Sequence, residues 1–470
     1  MNNINGDEIL EAIATSTLNT SYEDLDPDTI DNTKKRILDM IGNAIGGANM
    51  TDMVEMIKMV EGWGGIQESS ILGTNVKGNA HDVAFVNCTM CRTFDWGTLV
   101  VIVDGRRYPS HTSETTALTA LALAESKGVS GKELITACVI GDDLSARFNA
   151  VNMHPWNANM ENRLGGATAA TPAPMAPTTT MGATAIAGRL LGLNPTQMKN
   201  AFGLVGRSDG FGGGIWDGAP TFKIEQGTAA RKGIVSAELA KAGWTGAIDP
   251  LFNERGGYFS RQCEHPEILT MDLGKKFYYE VIFKPYPGGR PTHIPIDAAL
   301  ALAIKNDVNT DDIDEVILHL SVPAKYGHYM RPYKVGDYPT GDALFSYVFS
   351  TASALYRRSA TGREYTEESI RDPKLQELIK KVQLGDSNQP EGVELEVKMK
   401  DGTVYTEYVP VATGELPNPL SMDILKKKFM NQVEFSQVIS TEDAEKLIEM
   451  LDKLEEVEDV QDVIGFAVKK

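Results

Sequence analysis

Residues 111–128 read HTSETTALTALALAESKG, and alanine and leucine lie on nearly every side of the helix that this stretch would form. A helix that is apolar almost all round is buried on most of its faces, so the segment predicts a central helix of a large helical assembly. The neighbouring sequence agrees. Between Asp28 and Asn49, apolar residues such as Ile37 and Ile41 recur at helical spacing.

Helix-capping signals continue this pattern towards residue 200. Ser130 followed by Glu133 is a capping box, and Asn194 with Gln197 repeats its logic around a proline at the first helical position. The alanine-rich stretch GATAIAGRLLGL, residues 182–193, is typical of a helix that neighbours approach closely. The first part of the chain is therefore predicted to be helical.

The sequence changes character after about residue 275. FYYEVIF (277–283) and DEVILHLSV (314–322) are predicted strands, and VELEVKMK (393–400) alternates apolar and charged residues before an Asp401-Gly402 turn that predicts a two-residue hairpin. Helices are predicted at 294–304 and 343–356. Ser440 is predicted to cap a last helix.

These patterns predict a mainly α fold, with a large all-α helical domain and a smaller α+β lid domain. We place the first part of the helical domain at residues 1–274 and the lid domain at 275–410. Residues 411–470 are predicted to be a helical tail that rejoins the helical domain.

Composition narrows the function classes. The 470 residues include 45 Lys and Arg against 64 Asp and Glu, a net charge of −19. Such a protein repels phosphate backbones and anionic lipid, so neither nucleic acid nor a membrane is expected as a partner. The sequence has no run of 18 apolar residues and begins MNNINGDEIL, without the pattern of a signal peptide, so we expect a cytoplasmic location.

Two further motifs have the residue types of metal or cofactor sites. Cys88 and Cys91 form a C-x-x-C without a second pair nearby, which favours two buried apolar side chains over a metal or redox site. GFGGG at 210–214 lacks the strand–turn–helix context of a dinucleotide site. The irregular, proline-containing stretch 153–181 is predicted to be an ordered loop near a cleft.

His111 is the first candidate for chemistry, because it lies at the N-terminal mouth of the predicted buried helix. The helix dipole there favours a neutral imidazole, which suits a base near neutral pH, and Asp95 lies upstream where it could orient the ring. The alternative is a polar histidine that only begins the helix. His319 alternates along a strand and is interpreted as structural.

Cations on irregular segments are the second set of candidates. Lys223 precedes a Gly-Thr-Ala-Ala helix start, and the turn FKPYPGGRPTH presents Lys284, Arg290 and His293 within ten residues. Arg107 lies shortly before His111. An acidic protein must concentrate positive charge to hold an anion, so several such residues indicate an oxyanion-binding cleft. For any one of them, a solvated surface cation is the alternative.

The chain resembles the 2-methylcitrate dehydratase family (MmgE/PrpD), which also holds cis-aconitate decarboxylase and iminodisuccinate epimerase. The resemblance runs from about residue 30 to 430. Six segments carry it, in the order of the family: TKKRILDMIGNAIGG, YPSHTSETTALTALALAESKGVSGKELITACVIGDDLSARF, GATAIAGRLLGLNPTQMKNAFGLVG, KIEQGTAARKGIVSAELAKAGWTGAIDPLF, FKPYPGGRPTHIPIDAAL and LPNPLSMDILKKKF.

The resemblance implies a helical domain with an α+β lid, usually in a homodimer, without an iron–sulfur cluster or other cofactor. It implies a small di- or tricarboxylate substrate and proton abstraction next to a carboxylate. His111, Lys223, Lys284 and Tyr329 match active-site residues of the family, and His293 matches a residue common in its turn. The second histidine of the family falls on Ala173-Pro174, and His154 is a candidate replacement.

We therefore expect a hydro-lyase in which His111 is the general base or acid and Asp95 orients it. Lys223 and Lys284, with Arg290, hold substrate carboxylates in this hypothesis, because an enediolate-like state next to a carboxylate needs positive charge beside it. Two alternatives stay open. One is epimerisation or decarboxylation of a related carboxylate, and the other is a protein that binds carboxylates without turnover.

Overall fold

Helices make up most of the chain that the structure describes. The structure is a computed structural model, and it describes residues 5–108, 110–152, 178–205, 220–253, 257, 259, 263 and 265–470. In chain order the α-helices are α1 (Gly6–Asn19), α2 (Pro27–Gly47), α3 (Thr51–Trp63), α4 (Ala80–Cys91), α5 (Thr112–Lys127), α6 (Gly131–Asn152), α7 (Thr179–Leu190), α8 (Pro195–Val205), α9 (Ile224–Lys241), α10 (His293–Lys305), α11 (Pro339–Leu344), α12 (Tyr347–Arg357), α13 (Glu367–Ile370), α14 (Pro373–Ile379), α15 (Met422–Ser436), α16 (Thr441–Asp452) and α17 (Val460–Ile464). In these ranges no helix is both long and apolar enough to cross a membrane.

Three small sheets accompany the helices in the described residues. Their strands are β1 (Ser69–Ser70), β2 (Lys77–Gly78), β3 (Leu99–Val103), β4 (Arg106–Tyr108), β5 (Val281–Ile282), β6 (Ile313–Leu320), β7 (Val382–Asp386), β8 (Val393–Met399) and β9 (Val404–Val409). The strand orders are β1-β2, β4-β3-β5 and β7-β6-β8-β9. The predicted fold class, mainly α with a smaller α+β region, is confirmed.

The largest apolar core surrounds α5. Every side chain from Thr112 to Glu125 is buried, as the alanine- and leucine-rich pattern predicts. Helices α4, α6 and α7 pack against α5. From the other end of the chain, α15 and α16 pack on α2 and add Phe429 and Leu447 to the same core. The C-terminal helices are therefore part of the helical core.

A second core lies under the four-stranded sheet. β6 pairs in parallel with β7 and antiparallel with β8, which forms a hairpin with β9. Val393, Leu395 and Val397 are fully buried, so the alternation seen in the sequence does set the inward face. Helix α10 packs on β8 and β9, and α12 packs beside β7.

The turn of this hairpin is one residue longer than the sequence predicts. Lys398 pairs with Val404, and the Met399 N–H donates to the Thr403 carbonyl at 2.8 Å, which leaves three residues in the loop. Gly402 has φ +89°. A three-residue loop places its left-handed residue last, so the glycine serves that position instead of a two-residue turn.

Helix caps are mostly as predicted. The amide nitrogens and side-chain oxygens of Asn194 and Gln197 bond reciprocally at 2.9 and 3.0 Å. Ser130 accepts from the Glu133 N–H at 3.3 Å, but the Glu133 carboxylate does not complete the capping box. It binds Arg189 through two bonds of 2.6 and 2.9 Å instead, because a bidentate ion pair outweighs one bond to an amide.

One strand prediction and one helix prediction need correction. Within 277–283 only Val281–Ile282 is a strand, and it pairs with β3, which the sequence analysis did not identify. The predicted helix at 343–356 is two helices, because Ser346 accepts from the Phe349 N–H and begins α12 anew.

Candidate active site

A tight hairpin places His111 at the start of α5. β3 and β4 are joined by Asp104 and Gly105, whose φ values of +49° and +73° define a two-residue turn of the type that fits the twist of paired strands. After β4, the Ser110 carbonyl accepts from the Val100 N–H at 3.0 Å, so the pairing extends to the residue before His111. The backbone that leads into His111 is thereby fixed at the end of this sheet.

The His111 ring is surrounded by hydrogen-bonding partners. Two acceptors, the Thr98 carbonyl and the Glu114 carboxylate, each lie 3.2 Å from Nδ1. Arg92 Nη1 lies 3.0 Å from Nδ1 and 3.5 Å from Nε2. Arg92 Nη1 can only donate and has Asp95 as its acceptor, so we assign the Nδ1 proton to the two acceptors that face it, one of them charged, which leaves the lone pair on Nε2. The ring is then arranged to accept a proton at Nε2.

Asp95, which was predicted to orient the ring, is joined to it through Arg92, and its backbone has a left-handed conformation. Its φ is +48°, which is uncommon for a residue with a side chain and persists where several bonds fix it. The carboxylate pairs with Arg92 and lies 3.0 Å from Lys284 Nζ. Burial raises the pKa of Asp95, but the charges of Lys284 and Arg92 outweigh it and lower the pKa to about 2. Asp95 is therefore ionised at neutral pH.

Glu114 is the second buried carboxylate, one turn into α5. Burial raises its pKa, but its bond to His111 and the charge of Arg92 prevail, and the pKa lies below its usual value. The side chains of Arg92, Asp95, Glu114 and Lys284 are each at most 4% exposed, whereas that of His111 is 25% exposed. Within this charge cluster, His111 is the group that solvent or a substrate can reach.

Lys284 joins the charge cluster from the chain after β5. Its Nζ donates to the Asp95 carbonyl at 2.6 Å, and burial lowers its pKa, although Asp95 opposes that shift. The turn that follows is tied to the same place, since the Gly288 N–H donates to the Phe94 carbonyl at 2.9 Å. The ammonium is directed at Asp95, so Lys284 holds that residue in position.

Tyr329 and His293 line the other side of this turn. A side chain on Gly289 would lie 2.0 Å from the Tyr329 hydroxyl, so the glycine is needed for that close approach. Burial raises the pKa of Tyr329, and the hydroxyl keeps its proton at neutral pH. Burial, with the charges of Lys284 and Arg290, lowers the pKa of His293 well below its usual value. His293 is therefore neutral.

Lys223 lies next to the charge cluster with a partner of its own. Its side chain is 2% exposed, and Nζ lies 2.6 Å from Asp52, at the start of α3. The preceding residue, Phe222, packs its ring under the Arg92 guanidinium at 5.6 Å. Burial lowers the pKa of Lys223, and Asp52 partly offsets this. In the described residues, the link between Lys223 and the charge cluster is therefore the contact of its neighbour Phe222 with Arg92.

Arg290 and Arg107 share one carboxylate. Both pair with Glu415, Arg107 at 3.2 Å. All three line a cavity of about 350 Å³ together with Tyr326 and Tyr347. Glu415 neutralises one of the two arginine charges and leaves the other in the cavity, and Arg290 also contributes to lowering the pKa of His293.

Some predictions lie outside the described residues or concern metals. His154, the rest of the proline-containing stretch up to 177, and the glycine run 210–214 lie outside the residues that the structure describes.

Cys88 and Cys91 are buried in α4, and burial raises the pKa of both thiols well above the usual value. No group of three or more metal-binding side chains occurs in the described ranges.

Arg92, Glu114 and Asp52 were not among the residues that the sequence indicated. A signal existed for the first two, because Arg92 precedes Asp95 by three residues and Glu114 follows His111 by three. Pairs at this spacing meet on a helix. Asp52 gave no such signal, because it is far from Lys223 in the chain.

A mainly helical scaffold that holds one accessible imidazole among buried, mutually paired charges is a candidate acid–base enzyme. The chain belongs to the MmgE/PrpD family. Residues 11–268 match the MmgE/PrpD N-terminal domain and residues 286–456 match the MmgE/PrpD C-terminal domain. The resemblance stated from the sequence is thus confirmed.

Two curated relatives carry the same name. The chain is 26% identical over 475 residues to a cis-aconitate decarboxylase of Homo sapiens, covering 94% of this chain and 91% of that protein. It is 26% identical over 289 residues to a cis-aconitate decarboxylase of Mus musculus, covering 58% of this chain and 57% of that protein.

Proposed function

We propose that this protein is a lyase that acts on a small di- or tricarboxylate, with His111 transferring a proton at a carbon next to a carboxylate. The observation that carries the proposal is the charge cluster: one imidazole that is 25% exposed, with Nδ1 directed at Glu114, among buried and paired charges. A carboxylate behind the ring orients it and stabilises the imidazolium that forms when Nε2 takes a proton.

The leading reaction is reversible dehydration. His111 removes the proton from the carbon next to the carboxylate, the electron pair forms a carbon–carbon double bond, and the adjacent C–O bond breaks. The departing hydroxide takes a proton and leaves as water. Tyr329 is the proposed donor, because its hydroxyl is protonated at neutral pH and lies against Gly289, in the turn that follows Lys284.

The substrate also needs a cation for its carboxylates. The charges of Arg92 and Lys284 are balanced by Asp95 and Glu114, so these four groups add little net attraction for a polyanion. Lys223 is different, because its partner Asp52 is 39% exposed and can be displaced. We assign Lys223 to a substrate carboxylate, with Asp52 in its place when the site is empty.

Decarboxylation is the second candidate, favoured by the similarity to cis-aconitate decarboxylases over 94% of this chain. In that reaction the bond between a carboxylate and an unsaturated carbon skeleton breaks and CO₂ leaves. The electron pair stays on the carbon skeleton and takes a proton from the His111 imidazolium. The same group serves both reactions, as acid in one and base in the other.

Product analysis separates these possibilities. The protein is incubated with citrate, 2-methylcitrate or cis-aconitate, and the products are followed by proton NMR together with CO₂ release. A new double bond without CO₂ supports dehydration, and CO₂ with a product one carbon shorter supports decarboxylation. Exchange of the proton next to the carboxylate with inversion, but without bond cleavage, indicates epimerisation. Binding of these acids with no exchange and no product would contradict the proposal.

A further inference from the structure

Three consecutive carbonyls next to His111 are each held from a different direction. The Phe94 carbonyl accepts from the Gly288 N–H at 2.9 Å, the Asp95 carbonyl from Lys284 at 2.6 Å, and the Trp96 carbonyl from Lys428 at 2.7 Å. A left-handed Asp95 persists only where its surroundings over-determine it. The three bonds to these carbonyls hold the backbone of Asp95 in its left-handed conformation.

Lys428 reaches this segment from α15, near the C-terminal end of the chain. Its side chain is 7% exposed, and Nζ also lies 2.7 Å from Asp39 on α2. A buried ion pair of this kind is weak evidence for stability, because the desolvation of both charges offsets their attraction. The ammonium instead fixes a backbone carbonyl, and this is a geometric constraint.

The Trp96 carbonyl is connected to His111 through two short steps. Gly97 follows it and lies so close to Glu114 that a side chain there would be 2.4 Å from Oε1. Thr98 comes next, and its carbonyl lies 3.2 Å from His111 Nδ1. Both acceptors of the Nδ1 proton therefore contact or belong to the segment that Lys428 holds.

We propose that Lys428 is a positioning residue that sets the orientation and tautomer of the His111 ring by fixing the Trp96 carbonyl. The helix α15 would thus complete the candidate active site from outside it. The kinetic part of the test below rests on the proposed function, whereas the spectroscopic part does not.

Four variants separate geometry from charge and stability. Lys428→Met removes the 2.7 Å bond to the Trp96 carbonyl and the charge partner of Asp39, so that both keep only a 3.5 Å contact from Asn43. Asp39→Asn removes the opposite charge but keeps the ammonium on the carbonyl. The double variant removes both charges, and it remains informative where the single Lys428→Met variant does not fold. Lys427→Met, at the exposed neighbouring lysine, is the matched control.

The first readout is the nitrogen-15 spectrum of histidine-labelled full-length protein, in which the seven histidines are few enough to assign His111 by comparison with His111→Gln. The ring-nitrogen shifts report the tautomer directly. We expect the His111 signals to change in Lys428→Met and in the double variant, and to stay at wild-type positions in Asp39→Asn and Lys427→Met. The second readout is kcat, which should fall about tenfold or more in Lys428→Met and in the double variant, with KM little changed.

The result that would overturn the proposal is an unchanged His111 spectrum in the double variant. Recovery of the wild-type spectrum and kcat in that variant, with only Lys428→Met affected, would equally overturn it, because charge or stability would then be the cause. Absence of turnover in the wild type would contradict the proposed function alone, since the spectrum still decides the role of Lys428.

Discussion

At the residue scale, Lys223 and Asp52 form an ion pair of very unequal exposure, 2% against 39%. Because the Asp52 side chain is accessible, a substrate carboxylate can take its place while Lys223 stays paired with an anion. We predict that Asp52→Asn lowers the KM severalfold, because it removes an anion that competes for Lys223. Lys223→Met should raise the KM tenfold or more. Steady-state kinetics checks both values.

Glu55→Gln is the control for this pair, because Glu55 lies on the same helix and its bond of 2.8 Å is to the exposed Lys58. Its kinetics should match the wild type. If Asp52→Asn lowered kcat strongly while the KM stayed constant, Asp52 would take part in the reaction, and its assignment as a stand-in for substrate would be wrong.

Asp95 makes the stability of the fold depend on acid. Its pKa of about 2 in the folded chain is below the ordinary 3.8, so its ionised form stabilises the fold above pH 3.8, and this contribution disappears as the pH falls towards 2. The shift corresponds to about 2 kcal/mol. We predict that Asp95→Asn is less stable than the wild type at pH 7, and that the gap narrows between pH 4 and 2.

Urea unfolding of both proteins across this range provides the measurement. A gap that is constant with pH would show that Asp95 acts through its hydrogen bonds alone and not through its charge. The comparison between the two proteins removes the contribution of the other carboxylates that titrate in the same range.

The residues of the charge cluster were only partly predictable. The sequence predicted that Asp95 orients His111 and that Lys284 holds a substrate carboxylate in the same site, and the structure brings the three together through Arg92. Arg92 and Glu114 were missed although each lies three residues from a candidate; for Arg92 the pairing also depends on the left-handed conformation at Asp95, which a residue with a side chain rarely adopts. Nothing in local sequence announces that conformation.

At the element scale, helices α7 and α9 approach each other closely at Gly233. A side chain there would lie 2.7 Å from Ala183 and 2.8 Å from the backbone nitrogen of Thr184. We predict that Gly233→Ala destabilises the protein by about 1–3 kcal/mol, because the two helices must separate. Thermal unfolding is the measurement.

Gly62→Ala is the matched substitution, since Gly62 lies in α3 with no atom within 4 Å of an added side chain. It should leave stability unchanged or raise it by up to about 1 kcal/mol, through helix propensity alone. Equal effects of the two substitutions would contradict the close packing of α7 and α9.

The elements themselves were largely predictable, because local patterns specify them. The burial of α5, the cap at Asn194 and the inward face of β8 follow from composition and periodicity. β3 and β4 were missed although their Asp104-Gly105 turn is a strong hairpin signal. The extent of β5 depends on pairing with β3, which lies far away in the chain, so only its partner could limit it to two residues.

At the scale of the whole molecule, the candidate active site combines segments that are far apart in sequence. His111 lies in the first third of the chain, Lys284 follows β5, and Lys428 lies near the C-terminal end. Sequence patterns predicted helical segments on both sides of an α+β region, but they contain no information on which side chains meet. The family resemblance predicted that His111, Lys223 and Lys284 share one site, and the structure adds the residues with which they pair.

The central claim is that His111 moves the substrate proton. It is tested most directly by following, in heavy water, the exchange of the proton next to the carboxylate of a bound polycarboxylate by NMR. We predict that His111→Gln slows this exchange by a factor of about 10² or more. His319→Gln, a substitution on β6, should leave the rate unchanged. Exchange at the wild-type rate in His111→Gln would contradict the account.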